Sequence, residues 1–324
     1  GGDVQVRTKD FPGRRTWSFS VSQGVAENVT FKERRTYPGS RADLFGYGAD
    51  ARQIPDVVNQ LFGNRELPQA TGSSLPALAA AARSFSGVWS PTSAHTVPNG
   101  GYSATYGDEF KLFGHPLGLI ESWNLSRSFD QRDESHRSFT DVTDTLYDYA
   151  TTRSTESVQL GGISGLSYRV SPRHSLHLRG LYTNSADDEV RVYEGSDYTR
   201  DDALTGLPLA HRGIRLMYVQ RIVMSGTIEG QHELAKFGGT HLDWKFTRSA
   251  ARRQQPDRRE VIYDRRTWYE GDPGHWTVEP QGTREFGDLK DNGWGTTVNA
   301  ALPFGLGRLG NGKVVIGYDR QTKQ

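Results

Sequence analysis

The connections in this chain are sorted by length. Stretches of alternating polarity are joined in turn by tight turns and by long polar segments. The tight turns are Gly114-His115-Pro116, Ser171-Pro172-Arg173, Lys236-Phe237-Gly238-Gly239 and the glycine-rich stretch 305–312. The long segments run over 33–100, 131–145, 187–212 and 252–292. A soluble sandwich has no reason to place short and long connections at alternate ends of its strands. A barrel that crosses an outer membrane does, because its turns are short on one side and its loops long on the other. The pattern predicts long antiparallel strands with long extracellular loops.

The strands carry the second signal. Leu242, Trp244 and Phe246 alternate with His241, Asp243, Lys245 and Thr247, which puts an apolar row on one face and polar groups on the other. Leu176, Leu178 and Tyr182 stand likewise against Ser175, His177 and Arg179, and Val314, Ile316 and Tyr318 against Lys313 and Asp319. About nine strands are expected, over 16–32, 101–113, 117–130, 146–170, 174–187, 213–234, 239–248, 293–304 and 313–324. Phe113, Tyr168, Phe237 and Phe304 adjoin the tight turns, where an interfacial aromatic girdle would lie.

Composition narrows the functional classes. Lys and Arg number 39 against 38 Asp and Glu, a net charge of +1, so there is no electrostatic case for nucleic acid as a partner. The chain has no cysteine, which excludes disulfides and thiolate metal sites. No apolar run approaches the ~20 residues of a spanning helix, but a barrel strand needs only ~10 with one apolar face. The first residues hold no basic region followed by an apolar stretch.

Motifs for covalent chemistry are weak. Gly305-Leu306-Gly307-Arg308-Leu309-Gly310 fits a dinucleotide fingerprint, but Val314-Val315-Ile316 follows where a helix should begin. His174 and His177, three apart in a strand, fall on opposite faces and cannot share an ion. The carboxylates Asp141, Asp144, Asp148, Asp187, Asp188, Glu189, Asp201 and Asp202 lack calcium-loop spacing. A glycosidase needs only two suitably separated carboxylates, a separation that sequence does not give. No enzyme, no cofactor and no metal site is expected.

Two polar segments have features of their own. Pro55 and Pro76 each stand where a helix begins, ahead of Val57-Val58-Asn59-Gln60-Leu61-Phe62 and Ala77-Leu78-Ala79-Ala80-Ala81-Ala82, so short helices over the barrel mouth are expected. Trp268, Tyr269 and Trp276 lie among Arg258, Arg259, Arg265 and Arg266. Exposed rings can stack on a sugar, peptide or chelate while arginines take its carboxylates. Trp268, Tyr269, Trp276, Arg265 and Arg266 are therefore the candidate ligand-binding residues, with packing inside the loop as the alternative.

Gly1-Gly2-Asp3-Val4-Gln5-Val6-Arg7-Thr8-Lys9 resembles the last plug strand of TonB-dependent outer-membrane receptors, with Asp10-Phe11-Pro12 similar to the linker and Trp17-Ser18-Phe19-Ser20-Val21-Ser22 to the first barrel strand. Asp43-Leu44-Phe45-Gly46-Tyr47-Gly48-Ala49-Asp50-Ala51-Arg52-Gln53-Ile54-Pro55 is similar to a pattern in the first extracellular loop of one branch of that family. Arg284-Glu285-Phe286-Gly287-Asp288-Leu289, ahead of a strand ending Leu302-Pro303-Phe304, also resembles that branch. The resemblance implies an all-β, antiparallel transmembrane β-barrel of which this chain is a part, about nine of 22 strands, with the end of the plug and linker over 1–12 and barrel wall over 13–324. It implies an outer-membrane location, contact with outer-membrane lipid, and import of a small extracellular nutrient driven by the TonB energy-coupling complex. A soluble β-rich carbohydrate-binding or glycoside-hydrolase domain is the alternative, and a surface adhesin on the same barrel is a third.

Overall fold

The computed structural model describes residues 11–63, 67–140, 144–202, 204–267, 269, 272–278, 282–305 and 311–323. Its strands are β1 (Thr16–Gly24), β2 (Glu33–Thr36), β3 (Thr92–His95), β4 (Asn99–Leu112), β5 (His115–Phe139), β6 (Thr145–Ser171), β7 (His174–Asp201), β8 (Pro208–Leu234), β9 (Thr240–Arg266), β10 (His275–Val278), β11 (Thr283–Gly305) and β12 (Asn311–Lys323). Two helices, α1 (Asp56–Phe62) and α2 (Leu75–Ser84), begin at the prolines as expected, Pro55 capping the first and Pro76 standing in the first turn of the second. One antiparallel sheet runs β1-β4-β5-β6-β7-β8-β9-β11-β12, with β10 added to β9, and β2 and β3 form a separate hairpin. Among the described residues β1 and β12 do not pair, so the sheet is open.

Strands β5 to β9 are 25 to 28 residues long. At ~3.3 Å per residue each extends roughly 80 to 90 Å. Most of 131–145, 187–212 and 252–292, expected as loops, is therefore paired strand. What joins these strands is short: β6 begins six residues after β5 ends, β8 seven after β7, and the longer stretch between β9 and β11 includes β10, paired back onto β9. Residues 130–137 of β5 and 252–260 of β9 are polar on both faces and show no period of two, whereas on β7 Val190 and Val192 alternate with Glu189 and Arg191; pairing between backbone groups needs no apolar side chain.

The register sorts side chains onto two faces. Leu117, Tyr168, Leu176, Gly230, Trp244, Val298 and Tyr318 lie in one cross-strand row, and Leu119, Leu166, Leu178, Ile228 and Phe246 in the next. Trp17, Phe19 and Val21 continue this face opposite Tyr106, Ala104 and Tyr102. The other face carries Ser167, His177, Glu229, Lys245, Thr297 and Asp319 in a single row. Phe19, Leu178 and Ile316 are 64%, 49% and 63% exposed, so no protein layer covers the apolar face here. Trp123 and Trp244 lie flat across the neighbouring strands because Gly162 and Gly230 stand opposite, where a Cβ would strike each ring.

Above the apolar rows, the long excursion between β1 and β4 packs against the same face and supplies the layered core found among the described residues. Tyr37 packs on Val190 and Leu216, and Ala49 on Ala186 and Tyr218. The helices thus belong to a segment docked on the side of the sheet; its contacts are not with the polar face that a mouth would present. The 43–55 motif makes the latch. Arg52 donates to both Asp43 oxygens at 2.8 and 2.9 Å and to the Gly48 carbonyl, and lies 3.4 Å from Asp188 on β7. Asn184 donates to the Phe45 and Gly46 carbonyls, and the Gly48 amide donates to the Tyr218 hydroxyl. Gly46 takes φ +77°, which turns the chain back at that point.

Asp257, at φ +52°, marks an extra residue in β9 relative to both neighbours, since Gln254 faces Gln220 while Arg259 faces Leu216. Such a bulge exchanges the faces. Beyond it Arg259, Val261 and Tyr263 join the face of Leu242, and Arg258, Glu260 and Asp264 the polar face. The expected plug strand, 1–9, lies outside the described residues. Phe11 sits under the Arg169 guanidinium at 4.3 Å, on the polar face, so the chain approaches β1 from that side.

Candidate functional site

A ring cluster occupies the outer end of the polar face. Tyr147 and Tyr149, two apart on β6, point the same way and stack with centroids 5.0 Å apart. Tyr193 of β7 and His211 of β8 complete it, 5.6 and 5.8 Å from Tyr149. Tyr193 lies across β8 because Gly213 is its partner, where a Cβ would fall within the ring. Asp264 of β9, fully buried, holds His211 Nδ1 at 2.7 Å and the Arg200 guanidinium at 2.9 Å. Burial foremost, with nearby carboxylates, pushes the hydroxyls of Tyr149 and Tyr193 up to about 12. Both remain hydrogen-bond donors at any physiological pH.

One step toward the turns, Arg132, Arg153, Arg191 and Arg215 stand directly opposite one another on four adjacent strands, and the row continues to Glu260. Like charges in that arrangement repel, and carboxylates are interleaved. Asp130 takes Arg132 at 2.7 Å, and Glu189 lies 3.6 and 3.1 Å from Arg153 and Arg191. Glu260 takes Arg215 at 2.8 Å and Arg258 at 2.9 Å. Burial alone would raise Glu260, but the Arg215 hydrogen bond and charge hold it below the usual carboxylate range. The buried Nε atoms of Arg153, Arg191 and Arg215 have no hydrogen-bond partner. This face presents aromatic rings together with part-exposed guanidinium groups, which suits stacking on a flat or sugar ligand and donation to its oxygens.

The sequence-predicted residues divide between the faces. Trp276 is paired with Arg265, and both lie on the face of Leu242, where the Arg212 guanidinium covers the Trp276 ring at 4.5 Å. Arg265 also donates to the Pro273 carbonyl. Arg266, one residue on, turns to the polar face and lies 3.4 Å from Asp264, at the edge of the ring cluster. Tyr269 is 62% exposed in the connection after β9, and Trp268 lies outside the described residues. Tyr147, Tyr149, Tyr193 and His211 were missed. Their one signal is the Tyr147-x-Tyr149 spacing, obscured because that end of β6 adjoins a segment taken for a loop.

Among the described residues no group of three or more His, Asp or Glu side chains is arranged to hold a metal ion. His174 meets His232 across the strands at 3.1 Å on the apolar face, and His177 meets Ser167 on the other. No protein-family model, curated protein or solved structure matches the chain.

Proposed function

We propose that this chain forms wall of an outer-membrane receptor that binds a small extracellular nutrient and admits it to the periplasm with TonB-coupled energy. One observation carries the membrane part: the apolar band drifts along the strands as it crosses the sheet. The row through Tyr318, the outermost apolar residue of β12, reaches β5 at Leu117, whereas the band on β5 continues to Leu125, interrupted by Glu121, which accepts from the Ser164 hydroxyl at 2.7 Å. That is eight residues over six strand steps. With ~3.3 Å per residue and ~4.8 Å between strands, the band is inclined about 40° to the rows. Strands of transmembrane barrels tilt about 35 to 45° from the membrane normal, so a level lipid belt is inclined to their rows by that amount. Nine residues from Leu117 to Leu125 also suit a tilted span of ~9 to 11.

The polar face then lines a lumen, and the ring and arginine wall lies outside the band, at the extracellular level where a nutrient would first be held. Arg266 at its edge extends that surface. In this role the protein binds and transports and carries out no covalent chemistry. The membrane part is tested with spin labels on the protein in liposomes. Labels at Leu178, Ile228 and Val298 should be relaxed by oxygen, and labels at His177, Thr227 and Thr297 by a water-soluble nickel chelate. Equal access of both reagents to the two sets would overturn it. The transport part is tested by uptake in a deletion strain supplied with single nutrient sources, where unchanged uptake of every nutrient would overturn it.

A further inference from the structure

We propose that a phosphorylated lipid of the surrounding leaflet is held by its headgroup phosphate at Arg248 and Arg320, on either side of Trp294. The inference rests on the membrane reading above and adds a ligand site outside the lumen. All three residues lie on the apolar face at its outer edge. The row of Arg248 contains Trp294, and the row of Phe246 contains Thr296 and Arg320. Phe246, Arg248, Asn292, Gly293 and Trp294 line an open recess of about 440 Å³.

Charge decides what this recess accepts. At this level of β9, β11 and β12 the face carries Arg248, Arg252, Lys290 and Arg320. Their carboxylates are Asp288, which takes both Arg252 and Lys290, and Asp50 of the excursion, whose charge reaches Arg252. Four cations thus face two anions. Arg248 and Arg320 form no ion pair among the described residues, and Arg320 lies over the Trp294 ring at 5.1 Å. Cation and ring together fix a guanidinium plane, whose parallel N–H groups match phosphate oxygens. Below the recess Phe246, and in the next row Trp244, Val298 and Tyr318, offer an apolar track for acyl chains. A soluble anion would use the arginines and leave this track bare; a lipid uses both.

The test uses the complete protein reconstituted in zwitterionic vesicles with a minor fraction of brominated lipid, comparing a brominated phosphomonoester lipid with a brominated zwitterionic one. Bromine quenches tryptophan on contact, and the Trp294 share is taken as the difference from Trp294→Phe. The Trp294 share should be quenched at least twofold more by the phosphomonoester lipid. The preference should vanish in the Arg248→Gln, Arg320→Gln double variant and persist with 10 mM inorganic phosphate present. Equal quenching by both lipids, or loss of the preference on adding phosphate, would overturn the proposal. Trp123 and Trp244 report the band itself: if neither is quenched by any brominated lipid the membrane reading fails, whereas quenched band tryptophans with no preference at Trp294 sink only the headgroup site.

Discussion

The Arg52 guanidinium lies 4.2 Å from the centre of the Tyr218 ring, and this stacking joins the excursion to the outer wall of the sheet. Arg52 is 8% exposed and carries the motif's hydrogen bonds to Asp43 and Gly48 as well as the ion pair to Asp188. The motif is therefore a latch, and its glycines are part of it: a Cβ at Gly39 or Gly48 would strike the Asp43 carboxylate and the guanidinium.

Removing Arg52 should free the excursion. Arg52→Ala leaves the Asp43 carboxylate without its cation in a largely buried place, an imbalance that costs about 3 to 5 kcal/mol. Hydrogen exchange of amides in 39–55 should quicken by roughly a hundredfold or more, while exchange in β5 to β8 below the excursion stays as it was. Unchanged exchange in 39–55 would show that the latch lies elsewhere.

The docked excursion should also weaken as pH rises. Burial, outweighing the attraction of Arg52, pushes the Asp188 carboxyl up to about 7; Asp43 and Glu156 push the same way, and Arg34 opposes. Asp188 lies above the apolar band. Undocked, the carboxyl titrates near its ordinary value, so between about pH 4 and 7 the undocked state is charged and the docked state protonated. The sign follows: docking is strongest below about pH 4 and is lost progressively as pH rises through 7. Exchange in 39–55, corrected for its intrinsic pH dependence, should quicken about tenfold or more between pH 5 and 8. Asp188→Asn should flatten that profile, and an equally steep profile in this variant would assign the effect to another group.

Gly213 should be intolerant of any side chain. Gly213→Ala displaces the Tyr193 ring and with it the 3.3 Å hydrogen bond from Tyr193 to Glu260. Overpacking of this kind costs about 1 to 3 kcal/mol. The near-ultraviolet circular dichroism of the tyrosine cluster should change, and on the receptor reading proposed above the affinity for the nutrient should fall. Gly226→Ala, where nothing lies within 4 Å, is the control. Matching spectra for the two variants would remove Tyr193 from the cluster.

The lower half of each strand was legible because one face must be apolar, and the tight turns fixed where those halves begin. Leu242, Trp244 and Phe246 do share a face opposite Asp243 and Lys245. Most of the upper halves of β6 and β8 fell within the expected strands 146–170 and 213–234, whereas those of β5, β7 and β9 did not, since residues such as Arg132 and Arg191 are held by pairing across strands, which no local pattern records. Arg265 and Arg266 show the consequence for the site. As loop residues they could act together, but as strand neighbours they face opposite ways, and which one faces the ring cluster depends on the bulge at Asp257. The carriers of that bulge in the sequence are Pro256, which cannot donate to a ladder, and Asp257 after it; in a charged run that pair reads as a loop rather than as a bulge within a long strand.

The apolar face should reject charge where the polar face accepts it. Ile228 lies midway along the band on β8, opposite Leu178 and Phe246, and Thr247 lies on the other face opposite Thr227 and Gly295. A charge near the middle of a bilayer costs about 2 to 4 kcal/mol on the lipid face of a barrel, and little where it meets water. Ile228→Arg should lower the yield of folded, detergent-resistant protein in outer membranes about tenfold or more, and Thr247→Arg should leave it within about twofold. In a soluble sheet of the same register, both arginines would be solvated and the two variants would fold alike. Equal yields of the two would therefore exclude lipid from the apolar face.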